Sequence, residues 1–191
     1  MNTALCDFAE LVGITLGDGN LGNYKRCQYL RIYFNPKQRQ YIDYVTKLLV
    51  NHFKKIPYER YRKDAGVTYL EISLKNMDLH MGIPTGSKMR NKVKFPKWIW
   101  TRKIYLKRCL RGLFDTDGCI YITGGKYRIV NYTSHNMDLV EDIYNALVML
   151  GFHPYAGQAR VELGRIAEVK RFFKLIVPSN DNHYRFDNLP R

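Results

Sequence analysis

Acidic residues are scarce in this chain of 191 residues: 17 Asp and Glu stand against 31 Lys and Arg, a net charge of +14. The excess runs along the whole chain rather than in one tail, so a folded domain with a basic surface is expected. Such a surface points to nucleic acid first and an anionic membrane second. Long apolar runs are also missing. None approaches the roughly 18 residues of a membrane span, and no long amphipathic basic helix would lie on a membrane surface. The N-terminus, MNTALCDFAE, lacks a basic stretch followed by an apolar one, so no secretion signal is expected and an intracellular setting is. The four cysteines, Cys6, Cys27, Cys109 and Cys119, form no C-x-x-C pair, and the five histidines are scattered. A zinc site and a disulfide framework are therefore not expected; reduced, mostly buried thiols are.

What is present is periodic. Residues 5–17 carry an apolar helical stripe at 5, 8, 11, 12 and 16, stopped by Gly19. QYLRIYF (28–34) alternates as a half-buried strand, with Leu30, Ile32 and Phe34 inward. Asn35-Pro36 with Gln38 reads as a capped helix start, and the following helix buries Tyr41, Val45, Leu48, Leu49 and Phe53. PYERYRKD and VTYLEISLK form a hairpin closed at Asp64-Ala65-Gly66, then a short helix spans 76–81. The order then repeats. A helix spans 102–117, a hairpin turns at Gly124-Gly125, a helix spans 136–150, and FHPYAGQ and ARVEL are strands. The last helix, 165–177, places Ile166, Val169, Phe172, Phe173 and Ile176 inside.

An internal repeat of about 100 residues thus implies two similar αββαββα units. The expected divisions are a first half at 1–83, a joint at 84–100, a second half at 101–178 and a tail at 179–191. The joint is basic, without an acid, and is expected to run along the ligand. LVGITLGDG (11–19) and LRGLFDTDG (110–118) open the two units. Small residues recur every four positions, Ala9, Gly13 and Gly17 in one and Gly112 and Thr116 in the other, which lets two helix backbones approach closely. Helices crossing there bring Asp18 and Asp117 side by side at two negative helix ends. Two acids in that place call for a cation. Mg²⁺, with the carbonyls of Gly17 and Thr116 as further ligands, suits phosphodiester chemistry.

Both stretches resemble the motif of the LAGLIDADG homing endonucleases, keeping its leucine, both glycines and the last acid. The resemblance extends over nearly the whole chain and is closest to the single-chain class with two motifs, the type encoded within introns. It departs at Leu16 and Gly17, where the family name reads Asp-Ala. The resemblance implies an α+β fold in which two pseudo-symmetric units pack through the motif helices. Each unit presents a curved antiparallel sheet to the DNA major groove. By the same resemblance, Asp18 and Asp117 are expected to bind two or three Mg²⁺ ions and cut one strand each, leaving short 3′ overhangs. Mn²⁺ is expected to substitute, and Ca²⁺ to bind without efficient cutting. On this resemblance the protein is expected to act as a monomer on double-stranded DNA. An RNA maturase that assists intron splicing, and a DNA-binding protein without catalysis, are rivals on the same fold.

The resemblance also implies basic groups around the metals, and Lys75 is the candidate. Strand alternation offers Arg31, Tyr33 and Asn35 as DNA contacts. On the next strand the phase is open: Tyr58, Arg60 and Arg62, or Glu59, Tyr61 and Lys63. The second half offers Tyr121, Thr123, Lys126, Arg128, Tyr132, Gln158 and Arg160. Two sheets of strands spanning roughly 26 Å each would cover on the order of 16 base pairs, with related but non-identical half-sites.

Overall fold

In the computed structural model, which describes residues 3–125 and 127–184, the order of elements is the one the periodicity predicts. The first half comprises α1 (Thr3–Leu16), β1 (Gly19–Asn23), β2 (Gln28–Phe34), α2 (Arg39–Phe53), β3 (Tyr58–Arg62), β4 (Val67–Leu74) and α3 (Met77–Met81). The second comprises α4 (Lys103–Asp117), β5 (Gly118–Thr123), β6 (Tyr127–Thr133), α5 (Met137–Met149), β7 (Tyr155–Gly157), β8 (Arg160–Leu163) and α6 (Ile166–Ile176). Each half builds one antiparallel four-stranded sheet, in the orders β1-β2-β4-β3 and β5-β6-β8-β7. Gly19 faces Ile32 and Gly118 faces Tyr132, so the two sheets repeat the same register from the same motif glycine. No helix among the described residues is long and apolar enough to cross a membrane.

The seam between the halves is the crossing of α1 and α4. A Cβ at Gly13 would collide with the Cys109 carbonyl oxygen, and one at Gly112 with the Glu10 carbonyl oxygen. Each glycine costs its helix about 1 kcal/mol against alanine. The return is backbone contact that no side chain permits. Polar groups fasten the same crossing. Glu10, with no exposed surface, takes Arg108 Nη1 at 2.7 Å, Arg111 Nε at 3.3 Å and the Tyr44 hydroxyl at 2.5 Å.

The joint is anchored in both halves rather than suspended between them. Gly86 N donates to the Leu21 carbonyl of β1, and Asn23 Nδ2 to Thr85 Oγ1. Further on, Phe95 N donates to Asp142 Oδ2 and Asn136 Nδ2 to the Val93 carbonyl, while Ile83, Val93, Phe95 and Ile99 are buried.

Three local expectations need correction. Asn35 Oδ1 accepts from Lys37 N in a local turn, so α2 begins only at Arg39, with no side-chain cap on Gln38. Ile166 opens α6 on its exposed side, whereas Val169, Phe172, Phe173 and Ile176 are buried. Phe53 is only partly buried, packed against the core edge.

Candidate active site

The motif residues leave the seam together. α1 ends at Leu16 and β1 starts at Gly19, so Asp18 sits in the tight turn between them, while Asp117 is the last residue of α4. A Cβ added at Gly17 would strike Thr116 Oγ1 and lie 3.3 Å from Asp117 Cγ, which places the two motif ends in contact. Thr116 Oγ1 donates back to the Gly112 and Leu113 carbonyls, holding that last turn closed.

The electrostatics are those of two acids crowded at two negative helix ends. Burial raises the Asp117 carboxyl to about 6, the Asp18 charge adds to it, and Lys88 works against both. Asp18 keeps an exposed edge, yet the surrounding protein raises its carboxyl as well, again opposed by Lys88. Lys88 comes from the joint. Its Nζ donates to the Leu16 carbonyl at 2.9 Å and to the Gly17 carbonyl. Burial lowers its ammonium, and the charges of Asp117 and Asp18 hold it up. An ammonium therefore sits on two backbone carbonyls, within electrostatic influence of both carboxylates. That donor set is all hard oxygen and already accommodates a cation, so the residues present fit a divalent ion such as Mg²⁺ or Mn²⁺. A polar cavity of about 350 Å³ opens beside Asp18, lined by Gln38, Tyr41, Asp115, Asn180 and His183 among others. The Tyr41 hydroxyl and His183 Nε2 are buried there with no hydrogen-bond partner among the described residues, a setting that suits ordered water.

Asp115 stands where the first motif has Leu16. Its carboxylate accepts from Ser179 N at 3.0 and 2.9 Å and from Asn180 N at 3.1 Å, and Asn180 Nδ2 donates to its carbonyl. Burial raises that carboxyl to about 7 despite these backbone donors. The acid missing from the first motif is thus the one that fastens the segment after α6 in the second.

Lys75 does not join this group. It follows β4 beyond Leu74, which pairs with Gln28, whereas the Asp18 end of the sheet is at Gly19, Ile32 and Leu70. Five residues of strand separate them by roughly 17 Å. Lys75 instead lines a groove with His52, Phe53, Leu74 and His80. Lys88 is the lysine at the aspartates. The run of basic residues in the joint was its only signal in the sequence, since its position depends on the joint folding back along β1.

The strand faces decide the remaining candidates. Arg31 and Tyr33 lie opposite the buried Leu30, Ile32 and Phe34, as read. The open phase of β3 is settled by register: Tyr58, Arg60 and Arg62 pair with Glu71, Tyr69 and Val67, and so share the outer face with Arg31 and Tyr33. Asn35 lies past the strand, exposed, beside the cavity at Asp18. In the second half Tyr121, Thr123 and Arg160 are on the outer face. Gln158 is in the exposed β7–β8 turn. Tyr132 is core, 1% exposed, its hydroxyl donating to the Leu110 carbonyl of α4. Arg128 shares the inward parity of Val130 and Tyr132, so the outer face of β6 is carried by Tyr127, Ile129, Asn131 and Thr133. Lys126 lies outside the described residues.

A family model described as a LAGLIDADG-like domain matches residues 105–188. Among solved structures, I-DmoI in complex with DNA and Ca is similar at a TM-score of 0.62 and 16% identity, covering 91% of this chain and 90% of that one. I-WcaI bound to its DNA recognition sequence is similar at 0.65 and 17%, covering 94% and 85%. I-LtrWI bound to target DNA is similar at 0.62 and 12%, covering 97% and 89%. A curated relative, the tRNA-splicing ligase RtcB of Methanopyrus kandleri, is 30% identical over 126 residues, which is 59% of this chain; the match spans 13% of the ligase's length.

Proposed function

From the fold of the single-chain LAGLIDADG homing endonucleases, which this chain has together with a LAGLIDADG-like domain over residues 105–188, we propose a site-specific, metal-dependent endonuclease acting on double-stranded DNA. The observation that carries this reading is the meeting of Asp18 and Asp117 at the ends of two crossed helices, with the Lys88 ammonium on the backbone carbonyls of the same turn. A binding protein gains nothing from two crowded acids on a basic surface. A hydrolase does, because they hold divalent ions.

Asp18, Asp117 and the Gly17 carbonyl would hold those ions, with the Thr116 carbonyl as a further donor. Bound there, Mg²⁺ would lower the pKa of a water and stabilise charge on the leaving oxygen. The turn at Asp18 and the end of α4 fix the two carboxylates in place, one facing each strand. The cavity beside Asp18 supplies room for water next to its carboxylate. Lys88 contributes positive charge at the scissile phosphate. Basic side chains on the two outer sheet faces, Arg31, Arg60 and Arg62 in one and Arg160 in the other, hold the duplex, with Tyr33 and Tyr121 beside them. A monomer then offers both half-site surfaces from one chain. The match to a small share of an RNA ligase gives no ground for ligation chemistry here.

The test is incubation with a pool of long duplexes carrying random inserts, followed by end mapping. Mg²⁺ or Mn²⁺ should give cuts in both strands with short 3′ overhangs at one family of sequences, and Ca²⁺ should give binding with little cutting. Failure to cut any duplex in Mg²⁺ or Mn²⁺, at any salt, would remove the reading.

A further inference from the structure

The outer faces of the two sheets carry arginines and tyrosines among neutral residues, and one acid each. Glu71 lies in the middle of β4 and Glu162 in β8. Both are on the outer face, and among the described strand residues no other acid shares it. Their positions are equivalent. Ile32 pairs with Leu70 and Arg31 with Glu71 in the first sheet; Tyr132 pairs with Val161 and Asn131 with Glu162 in the second. Even the next strand agrees, Tyr58 standing opposite Glu71 and Tyr155 opposite Glu162.

Both carboxylates are largely covered, with side chains 12% and 14% exposed, and both are held by the same kinds of group. Glu71 Oε2 takes Arg31 Nε at 2.5 Å and Oε1 takes the Tyr24 hydroxyl at 3.0 Å. Arg31 Nη2 also donates to the Tyr24 hydroxyl, and its guanidinium lies 4.3 Å from the Tyr29 ring centroid. Glu162 Oε1 takes the Tyr121 hydroxyl at 2.7 Å and Arg160 Nε at 3.3 Å. A carboxylate in a phosphate-binding face weakens binding to every DNA sequence. Recurrence at one position in two diverged halves therefore asks for a benefit that depends on sequence.

An arginine beside a glutamate presents donors next to an acceptor. In the major groove a G·C pair is the complement, with acceptors on guanine O6 and N7 and a donor on cytosine N4. We propose that Glu71 with Arg31, and Glu162 with Arg160, are specificity-determining pairs that each read a G·C base pair, at mirror-related positions of the two half-sites. This inference rests on the reading of the chain as a protein of double-stranded DNA. The tyrosine hydroxyls occupy the carboxylates in the free protein and give way to cytosine N4 in the complex.

Selection from random duplexes in Ca²⁺, with each position scored, tests it for the wild type, Glu71→Gln, Glu162→Gln and Glu71→Asp. The wild type should enrich one G·C pair in each half-site. Glu71→Gln should lower that preference at one position of one half-site by about 5- to 100-fold, and Glu162→Gln at the mirror position only. Both Gln variants should bind an unselected duplex more tightly. Glu71→Asp keeps the charge but shortens the reach, so it should lose the preference without that gain. Unchanged preferences, or a drop spread evenly over the site, would overturn the inference while leaving the DNA reading intact. A wild type that binds duplex but enriches no sequence would remove the inference, and one that binds no duplex would remove the DNA reading with it.

Discussion

Asp18 and Asp117 meet at the helix ends with Lys88 only partly offsetting their charge, and their removal should be felt in different ways. Asp18→Asn and Asp117→Asn are each expected to abolish double-strand cleavage while leaving duplex binding in Ca²⁺ within about tenfold, since each removes a charged metal ligand and little packing. Full cutting by either variant would exclude the assignment. Asp117 also makes a claim about pH. Its carboxyl is raised to about 6 against an ordinary 3.8, so the folded protein holds that proton more tightly than the unfolded chain. Its effect on stability is therefore smallest below about pH 4, grows as pH rises towards 6, and is a full cost above that. Without metal, Asp117→Asn should melt higher than wild type at pH 8 and equally at pH 4. Melting curves in a chelator across that range decide it, and an advantage larger at pH 4 would contradict the geometry.

The two motif helices show how an element is shaped by its partner. Gly13 and Gly112 are where each helix meets the other's backbone carbonyls, at Cys109 and Glu10. Gly13→Leu should cost about 1–3 kcal/mol and more where the backbones touch, read as a fall in denaturation midpoint. An unchanged midpoint would mean that the helices do not cross there. Glu10 ties the same elements from within, to α4 through Arg108 and Arg111 and to α2 through Tyr44. Glu10→Ala should cost about 3 kcal/mol, the lower end for breaking a buried pair, because both arginines keep some contact with water. The strands behave differently from the helices. Their outward residues are set by register across the sheet, and register passes from motif glycine to β2 or β6, then to the outer strands.

For the whole molecule the decisive property is charge spread over two sheets and a joint, +14 in total. Duplex binding should weaken steeply with salt, with a log–log slope of about −0.9 for each phosphate neutralised. The halves should fail separately. Arg31→Ala should relax or weaken recognition in one half-site and Arg160→Ala in the other, as measured by cleavage of a fully varied target library. Losses at the same positions in both variants would contradict two independent surfaces. Even weakening across all positions would identify these arginines as phosphate clamps rather than readers.

Much of this was legible in the chain alone, for reasons of short range. Helix and strand periods, the turn at Gly124-Gly125 and the repeat are carried by residues close in sequence, and the duplicated small-residue helices ending in Asp18 and Asp117 announce a seam with two acids at its end. What tertiary structure decided is whatever depends on a partner far along the chain. Lys75 and Lys88 are equally basic in sequence; only the folding of the joint along β1, through Gly86 and Leu21, brings Lys88 to the aspartates and leaves Lys75 at the far end of its sheet. In YRIVNY the adjacent Ile129 and Val130 allow either parity, and the buried tyrosine is Tyr132 because its hydroxyl finds the Leu110 carbonyl of another helix. Asp115 looks like a second motif acid until Ser179 and Asn180, more than sixty residues later, donate to it. Glu71 and Glu162 read as ordinary strand glutamates, since their equivalence exists only in the paired registers of two sheets. A local pattern states which faces a segment has; which neighbour each face meets is a free energy of the whole fold, summed over contacts that the chain brings together only by closing.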